Sequence, residues 1–375
     1  MHEIFELILS QQFMATHKSS KITVALMLML ILNSFSAFAQ LDTEEVIDDS
    51  FNPTEMIMHH ISDSHGWHFL GEGEESVTLP LPVILWTDKG LTSFMSSEFH
   101  HDVEGEYVVE SNGQKFVNYH EKIYVLNEGE EALEFDEETH AALNANRPFD
   151  ISITKNVASM LITAILLVLM FLGLAKHYKK SKAAPKGFKN ILETLVIFVR
   201  DEIAIPQIGE KKYLKFMPFL LTVFFFIWLS NLLGLLPGAA NVTGNISVTI
   251  ALGLFTLVLI LVNANKDYWQ HVFWMPGIPT PVKPILAVVE ILGVFTKPIA
   301  LMIRLFANIT AGHIIILSLI GLIFILETAG VAAISVPFAL FITVLELLVA
   351  FLQAFIFTML SALFIGMAVQ EHEHH

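Results

Sequence analysis

The chain has 375 residues, 54% hydrophobic side chains and a mean hydropathy of +0.61, which excludes an ordinary soluble protein and points to several membrane spans. It contains no cysteine, so disulfide scaffolds, thiolate metal sites and cysteine nucleophiles are excluded. The net charge of −16 averages two unlike regions: acidic residues crowd Leu41 to Asp150, and lysines cluster just after the first long apolar run.

Residues 1–39 have the pattern of an export signal: a basic start at His17, Lys18 and Lys21, an apolar core from Ile22 to Ile31, and Ala37-Phe38-Ala39 before Gln40. Glu3 and Glu6 are foreign to such a basic start, which makes Met14 the alternative first residue. Residues 40–150 are then expected to form a small acidic module outside the cytoplasm. Leu79–Trp86 and Lys115–Val125 are rich in β-formers, so the module is expected to contain strands. His59, His60, His65 and His68, with Asp63, are either transition-metal ligands or a solvated His-rich loop; their spacing matches no standard zinc pattern.

Residues 151–375 read as a membrane domain of about five helices. The first span, Ile153–Ala175, ends in Lys176, Lys179, Lys180, Lys182, Lys186 and Lys189, which places this side in the cytoplasm. Gly187–Ile205 mixes charged and apolar residues and predicts an interfacial helix ended by Pro206 and Gly209. The second span, Tyr213–Leu236, runs outward and carries Asn231 near its outer end. A tight turn leads to the third span, Ile246–Val262. Tyr268–Pro281 reads as a cytoplasmic loop whose prolines forbid a helix.

Two apolar stretches follow that are longer than a perpendicular span needs. Pro284–Leu326 would extend ~65 Å and Val331–Val369 nearly ~60 Å, against ~30 Å of hydrocarbon. No polar turn divides either one, so two strongly tilted helices joined near Gly330 are expected. Both carry groups that lipid does not tolerate. An arginine at the bilayer centre costs ~3 kcal/mol on insertion scales, so Arg304 must face protein or water. Asn308 lies one turn on and shares its face, and Lys297 and Glu290 precede it by one and two heptads. His313 points to roughly the opposite side, with Glu327 fourteen residues beyond it; Glu346 and Gln353, seven apart, share a stripe on the last helix. Such chains of Glu, His and Arg line proton or ion paths, whereas isolated polar groups serve as packing glue.

The run Lys297-Pro298, Arg304-Leu305, Ala307-Asn308-Ile309, Ala311-Gly312-His313, together with Leu352-Gln353-Ala354-Phe355 and Ser230-Asn231, resembles subunit a of the F-type ATP synthase, the proton-channel stator of its membrane sector. The resemblance covers the chain from about Ile151 onward; the acidic module is larger than the family minimum. It implies that Arg304 is the essential arginine facing carboxylates on a ring of c subunits, with Asn308 and Gln353 as its companions. His313 and Glu346 would hold the family's imidazole and carboxylate in swapped positions, relaying protons from outside with Asn231, while Glu290 would line the inner exit. It further implies two aqueous half-channels, a b-subunit peripheral stalk and the rest of the complex as partners, membrane lipid but no nucleic acid, no cofactor, and a bacterial inner membrane with the C-terminus in the cytoplasm. The subunit would not be catalytic by itself, and no phosphate-binding loop is present.

A self-contained ion transporter or cation/proton antiporter is the alternative; inverted repeats or interrupted spans would favour it, and the sequence has neither. An intramembrane hydrolase would need a nucleophile with its base, or paired aspartates, and no aspartate falls in a predicted span.

Overall fold

In the computed structural model the described residues are 57, 61–70, 77–135, 142–180, 185–236, 238, 240–275, 277–326 and 328–370. The export signal, the choice between Met1 and Met14, His59, His60 and Glu327 lie outside them.

The acidic region is strand-rich, as its β-formers predict. β1 (Gly66–Leu70) pairs with β2 (Val77–Pro80); β3 (Pro82–Thr87) lies between β4 (Gly90–Met95) and the short β9 (Phe149–Asp150); β5 (Glu104–Ser111), β6 (Gln114–Tyr119), β7 (Lys122–Leu126) and β8 (Ala145–Asn146) form a four-stranded antiparallel sheet. Alternation along β3 supplies the core: its Val83 and Leu85 meet Phe94, Phe99, Val109, Phe116 and Ile123 between the sheets. Phe94 stands edge-on to Phe99 at 5.5 Å.

A polar junction joins these strands to the first helix, α1 (Lys155–Lys180). Thr154, just before the helix, accepts from the Val157 amide at 3.5 Å through its hydroxyl, which in turn donates to the Asp63 carboxylate at 2.9 Å; Asp63 also accepts from the Asn156 amide at 3.1 Å, so the two residues share the capping of the helix start. His65 Nε2 pairs with Asp150 Oδ2 at 2.8 Å. Burial by itself would raise the Asp150 carboxyl, but hydrogen bonds from His65 and Ser152 outweigh it and hold the group down to about 2. Glu121 is pushed up by burial, a shift opposed by the charges of His65 and Lys155. Trp67 Nε1 donates to the Gly238 carbonyl at 2.8 Å, fastening β1 to the turn between the second and third spans.

Among the described residues five helices are long and apolar enough to cross a membrane: α1, α3 (Tyr213–Gly234), α4 (Ile246–Asn263), α6 (Lys283–Leu326) and α7 (Ala329–Val369). The chain is a mostly helical, multi-pass membrane protein. α6 and α7 are unbroken, 44 and 41 residues long, or ~66 and ~62 Å. Their core is built from Leu220, Phe224 and Phe225 of α3, Leu301 and Leu305 of α6, and Ala354 and Phe357 of α7.

Three expectations are corrected. The helix expected over Gly187–Ile205, α2 (Phe188–Phe198), does not stop before Pro206: a wider, π-helical stretch, Val199–Ala204, carries it into Ile205–Ile208. Proline lacks the amide a regular turn would use, and the widened stretch absorbs that loss; Gly209, at φ 93°, makes the stop. The expected loop at Tyr268 contains a helix, α5 (Lys266–Phe273), because every proline of that segment falls after Phe273. The break between the two long helices precedes Ala329, so Gly330 lies within α7. Thr328, with extended φ and ψ, makes the break, and its hydroxyl donates back to the Leu326 carbonyl.

Candidate functional site

The buried stripe of α6 runs through Val294, Pro298, Leu301, Leu305 and Ile309. Helical phase therefore turns Arg304 and Asn308 outward, and both are exposed. Ala300, Ala307 and Ala311 are exposed on the same side, so the arginine rises from a strip of small side chains. Among the described residues Arg304 makes no hydrogen bond or ion pair, which leaves its five donors available to something outside the chain.

α7 presents its polar groups the other way. Glu346 and Gln353 are buried, at 8% and 3% exposure, on a stripe with Ala350 and Phe357. Gly312 of α6 makes room for the glutamate: a methyl group there would overlap the Glu346 carboxylate. The structure thus brings Glu346 against the residue preceding His313. His313 is half-buried and engaged within the chain. Glu346 Oε2 is buried without a protein hydrogen-bond partner among the described residues. An ionisable group with a buried, unpartnered oxygen is costly, and such costs are characteristic of sites that exchange protons.

Asn231 is buried near the carboxy-terminal end of α3 and joins this group from a third helix. Its Oδ1 accepts from Thr243 Oγ1 at 2.5 Å, and its Nδ2 donates to the Ala350 carbonyl at 3.4 Å, between Glu346 and Gln353 on α7. Thr243 is the residue that sequence reasoning passed over as part of a turn. Its signal is the Asn241-Val242-Thr243-Gly244 pattern, in which Asn241 Oδ1 accepts from the Gly244 amide and folds the turn back over α3.

Glu290 stands apart, toward the start of α6. It pairs with Lys297 Nζ at 3.8 Å, one heptad on, and Lys297 also lies over the Phe364 ring of α7 at 5.8 Å. Burial, with the Glu290 charge added, pushes up the Tyr268 hydroxyl of α5, which brings that helix to the same end. The carboxy-terminal end of α7 is satisfied there too: Val369 O accepts from Lys212 Nζ at 2.7 Å and from Asn265 Nδ2 at 2.6 Å.

The seven residues therefore fall into three places: Arg304 and Asn308 on the outer face of α6; His313, Glu346, Gln353 and Asn231 around the α3–α6–α7 contact; and Glu290 at the far end beside Lys297. Of the histidine cluster, only His65 and His68 with Asp63 are among the described residues. Asp63 caps α1, His65 pairs with Asp150, and among the described residues no group of three His, Asp or Glu is placed to hold a metal ion.

Comparison with known proteins bears on the helical part. The chain is 52% identical over 231 residues to ATP synthase subunit a of Chloroherpeton thalassium, covering 60% of this chain and 69% of that one. It is 53% identical over 235 residues to ATP synthase subunit a 2 of Chlorobaculum tepidum, covering 60% and 66%, and 50% identical over 232 residues to ATP synthase subunit a of Myxococcus xanthus, covering 60% and 76%. A family model described as a domain of unknown function matches residues 56–151. The model of the ATP synthase A chain matches residues 157–366, the stretch that holds all five long apolar helices and every residue of the candidate site, and the chain belongs to that family.

Proposed function

We propose that this chain is the proton-conducting stator subunit of an F-type ATP synthase, with two half-channels that end at different depths against a rotor ring of c subunits. The observation that carries the reading is Arg304, an unpaired guanidinium standing outward from a small-residue strip on a spanning helix. A fixed cation there favours the ionised form of a carboxylate that passes it, by opposite-charge attraction. It forces release of the carboxylate's proton on one side and blocks a direct proton leak between the channels. The strip of Ala300, Ala307 and Ala311 lets a neighbouring helix come close enough for that contact.

Protons from outside pass by Asn231, Glu346 and His313 to the ring, and Glu290 lines the inner exit. Ser230, Thr310, Thr358 and Glu346 Oε2 are buried polar atoms without protein partners among the described residues, which suits a path lined by water. Each proton is driven by ~2.3 kcal/mol per 100 mV. The lysines after α1 face the cytoplasm of a bacterial cell and the acidic residues 40–150 lie outside. The long helices lie tilted along the ring, a peripheral stalk holds the subunit still, and residues 1–39 are removed on export.

The test is ATP-driven acidification of inverted membrane vesicles. Arg304→Ala is expected to reduce pumping to background while the complex stays assembled; undiminished pumping would sink the stator reading.

A further inference from the structure

We propose that the outward face of the β4–β3–β9 sheet is a docking surface for an apolar segment, flanked by basic residues, of another membrane-anchored subunit of the same complex. This rests on the reading above only in taking the chain as one subunit of an assembly.

A sheet with one face in water alternates apolar and polar residues. β3 does not. Val83, Leu85 and Thr87 are buried on one side, while Ile84 and Trp86 occupy the other. The register sets Leu91 opposite Trp86 and Trp86 opposite Phe149, and the backbone continues so that the Ile151 amide donates to the Ile84 carbonyl. Trp86, Leu91 and Phe149 form one row across three strands and are 62%, 59% and 72% exposed; Ile151 follows at 48%. A row of large apolar side chains on a face with its own core already behind it marks an interaction site.

Two observations choose a protein partner over lipid. First, the run from Phe149 to Lys155 is kept extended by hydrogen bonds from Ile153 to Pro82 and from Lys155 to Ser64. At ~3.3 Å per residue it can carry the row ~20 Å from the start of α1, whereas one headgroup layer is only ~6 Å thick. Second, between Leu41 and Asp150 there are 25 Asp or Glu and only four Lys or Arg. That charge is repelled by an anionic lipid surface and attracts a segment with basic flanks. α1 begins at the other end of that extended run and keeps Leu161, Ile165 and Leu169 exposed, so a partner helix anchored along α1 can continue from the membrane to the sheet.

The experiment places a photo-crosslinking phenylalanine analogue at Leu91 or at Phe149 in the purified intact complex, reconstituted in vesicles. Glu110, exposed on the other sheet, is the control position. The expected result is an adduct from 91 and 149, not from 110, to one other subunit, at an apolar stretch bordered by Lys or Arg. Adducts only to lipid, only to residues 40–56 of this chain, or to nothing would overturn the proposal. Leu91→Glu should lower recovery of that subunit with the complex roughly tenfold, equivalent to ~1.4 kcal/mol, with the thermal unfolding of this chain unchanged. Equal recovery would contradict it. Arg304→Ala abolishes pumping on the stator reading yet leaves the adduct intact, so the two proposals fail separately.

Discussion

Arg304 and Asn308 stand on the exposed face of α6, whereas Glu346 and Gln353, on the helix that follows, are buried against α3 and α6. Both helices are almost wholly apolar and of similar length, so the difference is not one of composition. It is one of phase. The arginine is placed where only another molecule can satisfy it, and the glutamate where the chain itself controls access to it. On the stator reading proposed above, the first is a charge that meets a moving partner and the second a group that passes protons along a fixed path, and the two placements suit those roles.

The sharpest way to break this contrast is Arg304→Ala, which removes the outward charge and should bring pumping to background without disturbing the inward group. Next comes Gly312→Ala, whose methyl overlaps the Glu346 carboxylate. Overpacking of this kind costs ~1–3 kcal/mol, and proton pumping is expected to fall at least tenfold in vesicles, whereas Ala311→Gly on the exposed side should change it little. Thr243→Val removes the hydroxyl that holds Asn231. At ~1 kcal/mol for a lost buried hydrogen bond, passive proton conductance of the membrane sector should drop a few-fold, and Thr243→Ser should restore it.

The smallest expected effect lies in the strand-rich region, where ionisable groups are partnered rather than poised. The Asp150 carboxyl, held down to about 2, contributes stability above its ordinary value of ~4 and loses it as the pH falls toward 2. His65→Ala removes the ring that donates to Asp150. Acid unfolding of the strands, followed by hydrogen exchange on the full chain, should then begin at higher pH than in the unaltered protein; an unchanged onset would show that the pair does not hold the junction.

Much of this was legible in the sequence, because apolar length and helical phase need no knowledge of neighbours. The two uninterrupted long helices, the shared face of Arg304 and Asn308 and the shared stripe of Glu346 and Gln353 follow from spacing alone. What phase cannot show is which face is covered. That Gln353 turns inward and Asn308 outward depends on Leu220, Phe224 and the rest of the core, which come from other helices. The role of Gly312 depends equally on another helix, since it is Glu346 of α7 that occupies the space beside it. Pro206 read as a stop because the π-helical detour that accommodates it has no signature in composition, and α5 was hidden by prolines that follow it rather than interrupt it. The export signal and His59–His60 fall outside the described residues.

Because the chain has no cysteine, single-cysteine chemistry offers the most direct test of the central claim. Ala307→Cys lies on the arginine's face and Leu305→Cys on the buried stripe. With a second cysteine beside the membrane carboxylate of the rotor subunit, mild oxidation should join the rotor to position 307 and not to 305. A disulfide at 305 as efficient as that at 307, or none at 307 in an assembled complex, would contradict a rotor-facing arginine.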